Sequence, residues 1–203
     1  MISIIDYKAG NLTSVGRALK HLGVPCVITS DPRIIMSSER VIFPGVGAAG
    51  KAMEVIKSQG LDKAIHNVIA QKIPFLGICM GAQIILDKSE ENNATCLGII
   101  PGVARKFPDV GIKIPHMGWN DISIERNHPL FKDINPEAQF YFVHSYYPEP
   151  GNHENMIATT HYGITFASVI GRGNVIATQF HLEKSGRNGL RILKNFSEWN
   201  GEL

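Results

Sequence analysis

The chain has 203 residues, 20 Lys and Arg against 18 Asp and Glu, and a formal net charge of +2. That near balance excludes the broad basic field of a nucleic-acid-binding protein, and no basic run interleaves with aromatics. The three cysteines, Cys26, Cys79 and Cys96, lack framework spacing, which excludes a disulfide scaffold and suits a reducing cytoplasm. No apolar stretch is long enough to span a membrane and no basic region precedes the first strand pattern, so a soluble cytoplasmic chain is expected.

Ile2 to Ile5 reads as a buried strand followed by a Tyr7–Gly10 loop. Asn11 is placed to cap a helix running to about Leu22, with Leu12, Val15, Leu19 and Leu22 on one face. Gly23 ends it, and Pro25 to Thr29 reads as the next strand, so the opening is a strand–helix–strand unit of a parallel sheet. Arg40 to Phe43 reads as a third strand stopped by Pro44-Gly-Val-Gly47, with helices expected over 49–59 and 61–71. An apolar run, Ile73 to Ile78, leads to Cys79 and a segment that reads as helix. Beyond about Asn92 the pattern shifts to short strand-like runs at 121–124, 139–143, 157–160, 166–170 and 175–180. A last helix around 188–199 is expected to bury Leu190, Leu193 and Phe196. The chain reads as one α/β domain over residues 1–203, with a mostly parallel central sheet and an antiparallel excursion in its second half.

Gly77-Ile-Cys79-Met-Gly81 places a cysteine between glycines at a strand-to-helix junction, the pattern of a nucleophile elbow. The glycines permit a turn that a Cβ would crowd, and the helix behind it favours thiolate through its free N–H groups. A hundred residues on, Gln179-Phe-His181-Leu-Glu183 carries a base and a carboxylate two apart. Cys79 reads as the nucleophile, His181 as base and leaving-group acid, and Glu183 as the orienter of the imidazole. A strand through 175–180 is expected to deliver the last two to a sheet end, pointing the same way. Pro44-Gly-Val-Gly47, after its own strand, offers the backbone N–H groups of Gly45, Val46 and Gly47 to an oxyanion, and Met80 N–H is the natural second donor. Gln83, four residues beyond Cys79, is placed to hydrogen-bond a substrate. His116, His144, His153 and His161 lack paired ligand spacing, so neither a metal nor another cofactor is expected.

These residues resemble the class I triad glutamine amidotransferases. Asp6-Tyr-Lys-Ala-Gly-Asn11, Pro44-Gly-Val-Gly47, Pro115-His-Met-Gly-Trp-Asn120, Tyr141-Phe-Val-His-Ser-Tyr146 and Gln179-Phe-His-Leu-Glu-Lys-Ser-Gly186 narrow the match. Together they resemble the glutaminase subunits of imidazole glycerol phosphate synthase over essentially the whole chain. The resemblance implies a flavodoxin-like fold and hydrolysis of L-glutamine to glutamate and ammonia through a thioester. It also implies that His144, Ser145 and Tyr146 line the glutamine pocket, and that Asn11, Trp119, Tyr141 and Lys184 meet a (β/α)₈-barrel cyclase subunit. Two positions depart from the family pattern: Leu182 stands where proline is usual, and Ala82 where a larger apolar residue is usual. Three other readings compete: a glutaminase serving a different synthase such as one that amidates a surface sugar, a cysteine peptidase on a similar fold, and a binding subunit with a lost triad. The His181-x-Glu183 pair and Gln83 argue against the peptidase, and the retained Cys79, His181 and Glu183 argue against a lost triad.

Overall fold

A computed structural model describes residues 1–202. The first half runs β1 (Ile2–Ile5), α1 (Leu12–His21), β2 (Cys26–Thr29), α2 (Pro32–Met36), β3 (Arg40–Gly45), α3 (Ala49–Ser58), α4 (Leu61–Ala70), β4 (Phe75–Cys79) and α5 (Met80–Ile84). The second half adds β5 (Lys88–Ser89), β6 (Ala94–Thr95), β7 (Gly102–Lys106), β8 (His116–Asp121), β9 (Ser123–Ile124), β10 (Gln139–His144) and β11 (Tyr146–Pro150). It closes with β12 (Met156–Tyr162), β13 (Ile164–Arg172), β14 (Val175–Thr178) and α6 (Gly186–Glu198).

Among the described residues the main sheet has eight strands in the order β2-β1-β3-β4-β14-β13-β12-β9. From β2 to β14 every pairing is parallel, and from β14 to β9 every pairing is antiparallel. Strands β1, β3, β4 and β14 are buried on both faces, which explains their apolar runs, whereas β2 at the sheet edge is only half-buried. Successive side chains alternate between two cores. Ile5, Phe43 and Phe75 pack with Ile35 of α2, Ile56 of α3 and Ile65 of α4 on one face. Ile4, Ile42 and Leu76 pack with Leu19 of α1 and Ile192, Leu193 and Phe196 of α6 on the other. Complete burial of a Leu, Ile or Phe side chain contributes roughly 1.5–3 kcal/mol, so these two layers hold the strand ends rigidly in place. The order 2-1-3-4 reverses between β1 and β3, so loops from both strands leave a crevice at the C-terminal edge of the sheet.

Two smaller sheets stand off this frame: the antiparallel pair β8–β10, and a four-stranded sheet ordered β11-β7-β5-β6. The expected strand over 121–124 is in fact two elements, because β8 ends at Asp121 in the ribbon while β9 pairs with β12 at the edge of the main sheet. The last strand stops at Thr178, and residues 182–184 form a 3₁₀ turn rather than a strand extension. Within α6, Leu193 and Phe196 are buried as expected, whereas Leu190 is only partly so. No helix of the described residues is long and apolar enough to cross a membrane.

Candidate active site

The parallel ladder aligns Gly45 of β3 with Cys79 of β4, and Thr178 of β14 with Ile78. Three strand ends therefore bring the 45–47 loop, Cys79 and the 179–183 segment to one place. Cys79 itself carries the strained turn, with φ 56° and ψ −103°. A non-glycine residue in such a conformation costs on the order of 1–3 kcal/mol, which the packing around it sustains. The flanking glycines serve close approach: a Cβ on Gly81 would sit 2.4 Å from Phe43 O, and one on Gly77 would sit 2.8 Å from Gly81 O. The helix behind Cys79, α5, is only five residues long. Its dipole is correspondingly smaller than the sequence pattern implies.

Cys79, His181, Val46, Gly47, Met80, Gln83, His144, Ser145 and Tyr146 line one cavity of about 380 Å³. His181 and Glu183 meet through the 3₁₀ turn rather than along a strand, with Nδ1 of His181 donating to Glu183 Oε1 at 2.8 Å. A carboxylate acceptor fixes the proton on Nδ1 and turns Nε2 toward the chemistry. Nε2 is buried and, among the described residues, has no well-formed hydrogen bond. Burial pulls the imidazole's proton affinity down, but Cys79 and Glu183 outweigh it and hold His181 above the usual histidine range. Leu182 is fully buried in the same core as α6, so side-chain packing holds the turn without a proline ring. Ala82 is also fully buried and packs into the other core, on the side of α3 and α4.

The 45–47 loop is less ready. Val46 N–H donates to the Tyr7 hydroxyl at 3.0 Å, and the same hydroxyl donates to Val46 O at 3.2 Å. Both polar groups of residue 46 are thus committed to Tyr7, although the sequence pattern offered this N–H to the cavity. Burial pushes the Tyr7 phenol up to about 12, so it stays protonated and keeps its role as donor.

The opposite wall comes from the ribbon and β11. Tyr146 O accepts from Gln83 Nε2 at 2.9 Å and from His144 Nδ1 at 2.8 Å. With His144 Nδ1 donating, its Nε2 accepts from His116 Nδ1 at 2.9 Å, and His116 Nε2 accepts from Asn120 Nδ2 at 3.3 Å. Both rings are neutral in this chain, and burial lowers His116 to about 4. Burial, opposed by the Tyr146 carbonyl, lowers His144 to about 3. Glu91 was not singled out from sequence, yet its carboxylate also lines the cavity and accepts from Ala49 N–H at 2.7 Å. Its signal was hidden in Glu90-Glu91-Asn92-Asn93, which reads as a solvated polar turn.

The remaining candidates gather on one outer face. Trp119, 54% exposed, lies edge-on to Tyr141 at 6.1 Å, and Lys184 Nζ sits over the Tyr141 ring at 5.7 Å. Asn11 occupies the N-cap position of α1 but makes no cap. Its amide donates instead to Glu183 Oε1 at 3.4 Å.

The model of the glutamine amidotransferase class-I family matches residues 3–199. The chain belongs to that family. It is 54% identical to imidazole glycerol phosphate synthase subunit HisH of Desulfovibrio desulfuricans, over 98% of this chain and 94% of that one. It is 52% identical to the HisH subunit of Maridesulfovibrio salexigens, over 100% of this chain and 99% of the relative. Among solved structures, PurLQS from Thermotoga maritima superposes with a TM-score of 0.76 at 17% identity, covering 97% of both chains. The glutaminase domain of Trypanosoma brucei CTPS with bound acivicin gives 0.67 at 15% identity, over 97% of this chain and 93% of that one. These two likenesses concern the fold. The likeness to the HisH subunits extends to sequence along the whole class I amidotransferase domain.

Proposed function

We propose that the chain is the glutaminase subunit of a cytoplasmic imidazole glycerol phosphate synthase in histidine biosynthesis. It hydrolyses L-glutamine and passes ammonia to a (β/α)₈-barrel cyclase subunit. The observation that carries the chemistry is the single cavity on which Cys79 and His181 converge, with Glu183 behind the imidazole. Near-half identity to HisH subunits along the full chain supports the synthase and the pathway.

In this reading the Cys79 thiolate attacks the glutamine side-chain carbonyl, and the C=O electron pair moves onto oxygen. Met80 N–H, with donors of the 45–47 loop, receives that oxyanion. His181, protonated on Nε2, gives its proton to the leaving nitrogen as the C–N bond breaks, so ammonia departs and a thioester remains. Water then attacks the thioester carbon, Nε2 takes its proton, and the C–S bond breaks to return the sulfur and release glutamate. Glu91 receives the substrate's α-ammonium, and Gln83 and the 144–146 wall shape the pocket around it. The exposed group of Trp119, Tyr141 and Lys184, with Asn11 beside it, docks the cyclase. The cyclase uses ammonia on a phosphorylated ribulosyl formimino-carboxamide ribotide to give imidazole glycerol phosphate and an aminoimidazole carboxamide ribotide. Ammonia is mostly protonated in neutral water, so direct transfer preserves its nucleophilicity.

The test mixes the chain with the cyclase subunit and measures glutamate release with and without the ribotide, beside Cys79→Ala. Slow hydrolysis alone, stimulation by the liganded cyclase and loss in the variant are expected. Turnover that needs Cys79 but ignores this cyclase would redirect the partner to another synthase.

A further inference from the structure

Gln179 opens the segment that carries His181 and is fully buried, yet no step above employs it. Its amide lies between two residues of the cavity. Gln83 Nε2 donates to Gln179 Oε1 at 3.1 Å, and Gln179 Nε2 donates to Cys79 Sγ at 3.7 Å.

The direction of both amides follows from a single fixed acceptor. Tyr146 O is a carbonyl oxygen and only accepts, so the Gln83 atom 2.9 Å from it is the nitrogen. The second hydrogen on that nitrogen meets Gln179, which must answer with its oxygen. The Gln179 nitrogen is thereby left facing the sulfur. His144 Nδ1 donates to the same carbonyl, which holds the anchor in place.

Besides His181, the sulfur also lies 3.9 Å from Val143 O, which only a protonated thiol can engage as donor. Gln179 N–H serves the opposite state, because a hydrogen bond to an ionised acceptor is roughly twice as strong as one to a neutral acceptor. We propose that Gln179 is a further catalytic residue that donates an N–H to the Cys79 sulfur and stabilises its negative charge. That charge exists before attack on the amide carbon and again when the C–S bond of the thioester breaks. Gln179 therefore acts at both ends of the covalent cycle. The proposal rests on the reading of Cys79 as the nucleophile.

The test reads the thiol rather than turnover. The full-length chain is alkylated with iodoacetamide across a pH series, and modification of Cys79 is quantified by peptide mapping so that Cys26 and Cys96 do not interfere. Two variants separate the amide's two halves. Gln179→Glu keeps an oxygen for Gln83 and loses the N–H toward sulfur, whereas Gln179→Met loses both. Both are expected to move the Cys79 alkylation midpoint up by about one to two pH units, from the typical strength of a hydrogen bond to a charged group. A midpoint unchanged in either folded variant overturns the proposal. A shift only in Gln179→Met would assign the residue to holding Gln83, and a shift only in Gln179→Glu would reflect the added carboxylate alone.

Should neither variant fold, the unmodified chain still decides the matter. With ¹⁵N-labelled glutamine side chains, one NH₂ signal must follow the Cys79 midpoint and lose that dependence in Cys79→Ala. The absence of such a signal overturns the proposal. Failure of the parent reading is seen separately, as glutamate release that survives Cys79→Ala.

Discussion

The parallel half of the main sheet and the additions that follow it contribute different things to the same cavity. The proposed reacting groups hang from the ends of parallel strands: Cys79 ends β4, the 45–47 loop follows β3, and His181 lies three residues beyond β14. Their positions are set by ladder registers and two apolar layers. The facing wall and the exposed aromatic group come from the ribbon β8–β10 and from β11, and a chain of side-chain hydrogen bonds joins them to the site. Rigid strands fix where the chemistry happens, while the additions shape what it meets. The two regions touch where His181 N–H donates to Tyr141 O at 2.9 Å.

The sharpest way to separate them is to delete a proposed reacting group. Cys79→Ala, His181→Ala and the double variant are each expected to lower glutamate release by about 10³-fold or more. The double should be scarcely worse than either single, because triad members act as a unit. On the ribbon, Trp119→Ala should leave folding stability within about 1 kcal/mol, as is usual for an exposed side chain, and abolish stimulation by the cyclase. Steady-state kinetics and urea titration of the same samples check both statements. If Trp119→Ala alone silenced the isolated chain, the division between the halves would fail.

Acid provides a second separation. His116, His128 and His144 are buried neutral bases, all in the second half of the chain, and burial lowers each of them, His128 to about 4. A histidine depressed by folding is protonated more readily in the unfolded chain. Stability is therefore lost as pH falls below about 6.5, by up to about 1.4 kcal/mol per pH unit for each such group. Across the three, on the order of 3 kcal/mol should disappear between pH 6.5 and 5, with His116 counted at less than full weight because its ring is buried only shallowly. His181 does not oppose this, since a raised proton affinity adds stability below about 6.5 that is lost only as pH rises toward its folded value. Hydrogen exchange at pH 5 should show β8 and β10 opening before β3 and β4. Simultaneous loss of protection would show that the two regions unfold together.

How much of this was legible in the sequence follows the same division. Strands β1, β3 and β4 could be read because strands buried on both faces must be apolar throughout, and the elbow because its close backbone approaches demand Gly77 and Gly81. Strand β11 escaped because Tyr146-Tyr-Pro-Glu-Pro150 carries two prolines, tolerated here since β11 is an edge strand with a partner on one side only. Helix α2 is five residues long, too short for a period to show. Asn11 read as a helix cap from its local setting, but its acceptor lies 172 residues away on Glu183. Such a tertiary bond leaves no mark on neighbouring residues. The spacing of Cys79, His181 and Glu183 was legible, while the Tyr7–Val46 contact and the place of Glu91 in the cavity wall required the fold.

Within the rigid half, Gly81→Ala probes the tight packing directly. The added methyl would meet Phe43 O at 2.4 Å, a backbone atom that cannot step aside without moving β3. A loss of about 2–3 kcal/mol is expected in urea unfolding, the scale of overpacking in a well-filled interior. A neutral outcome would mean that β3 yields more easily than the ladder implies.

The smallest expected effect tests where that rigidity ends. Tyr7→Phe removes the hydroxyl that occupies both polar groups of Val46 and leaves the ring, which stacks on Phe43 at 4.9 Å between centroids. Because the ring and its packing survive, stability should fall by about 1 kcal/mol, near the net value of a typical hydrogen bond. The freed Val46 peptide is then able to turn its N–H toward the cavity, so glutamate release by the isolated chain should rise several-fold while the stimulation ratio with the cyclase shrinks. Unchanged or lower basal turnover would mean that Tyr7 supports the working arrangement of the loop instead of restraining it. In that case the loop after β3 belongs with the fixed strand ends, and control of the site lies with the ribbon alone.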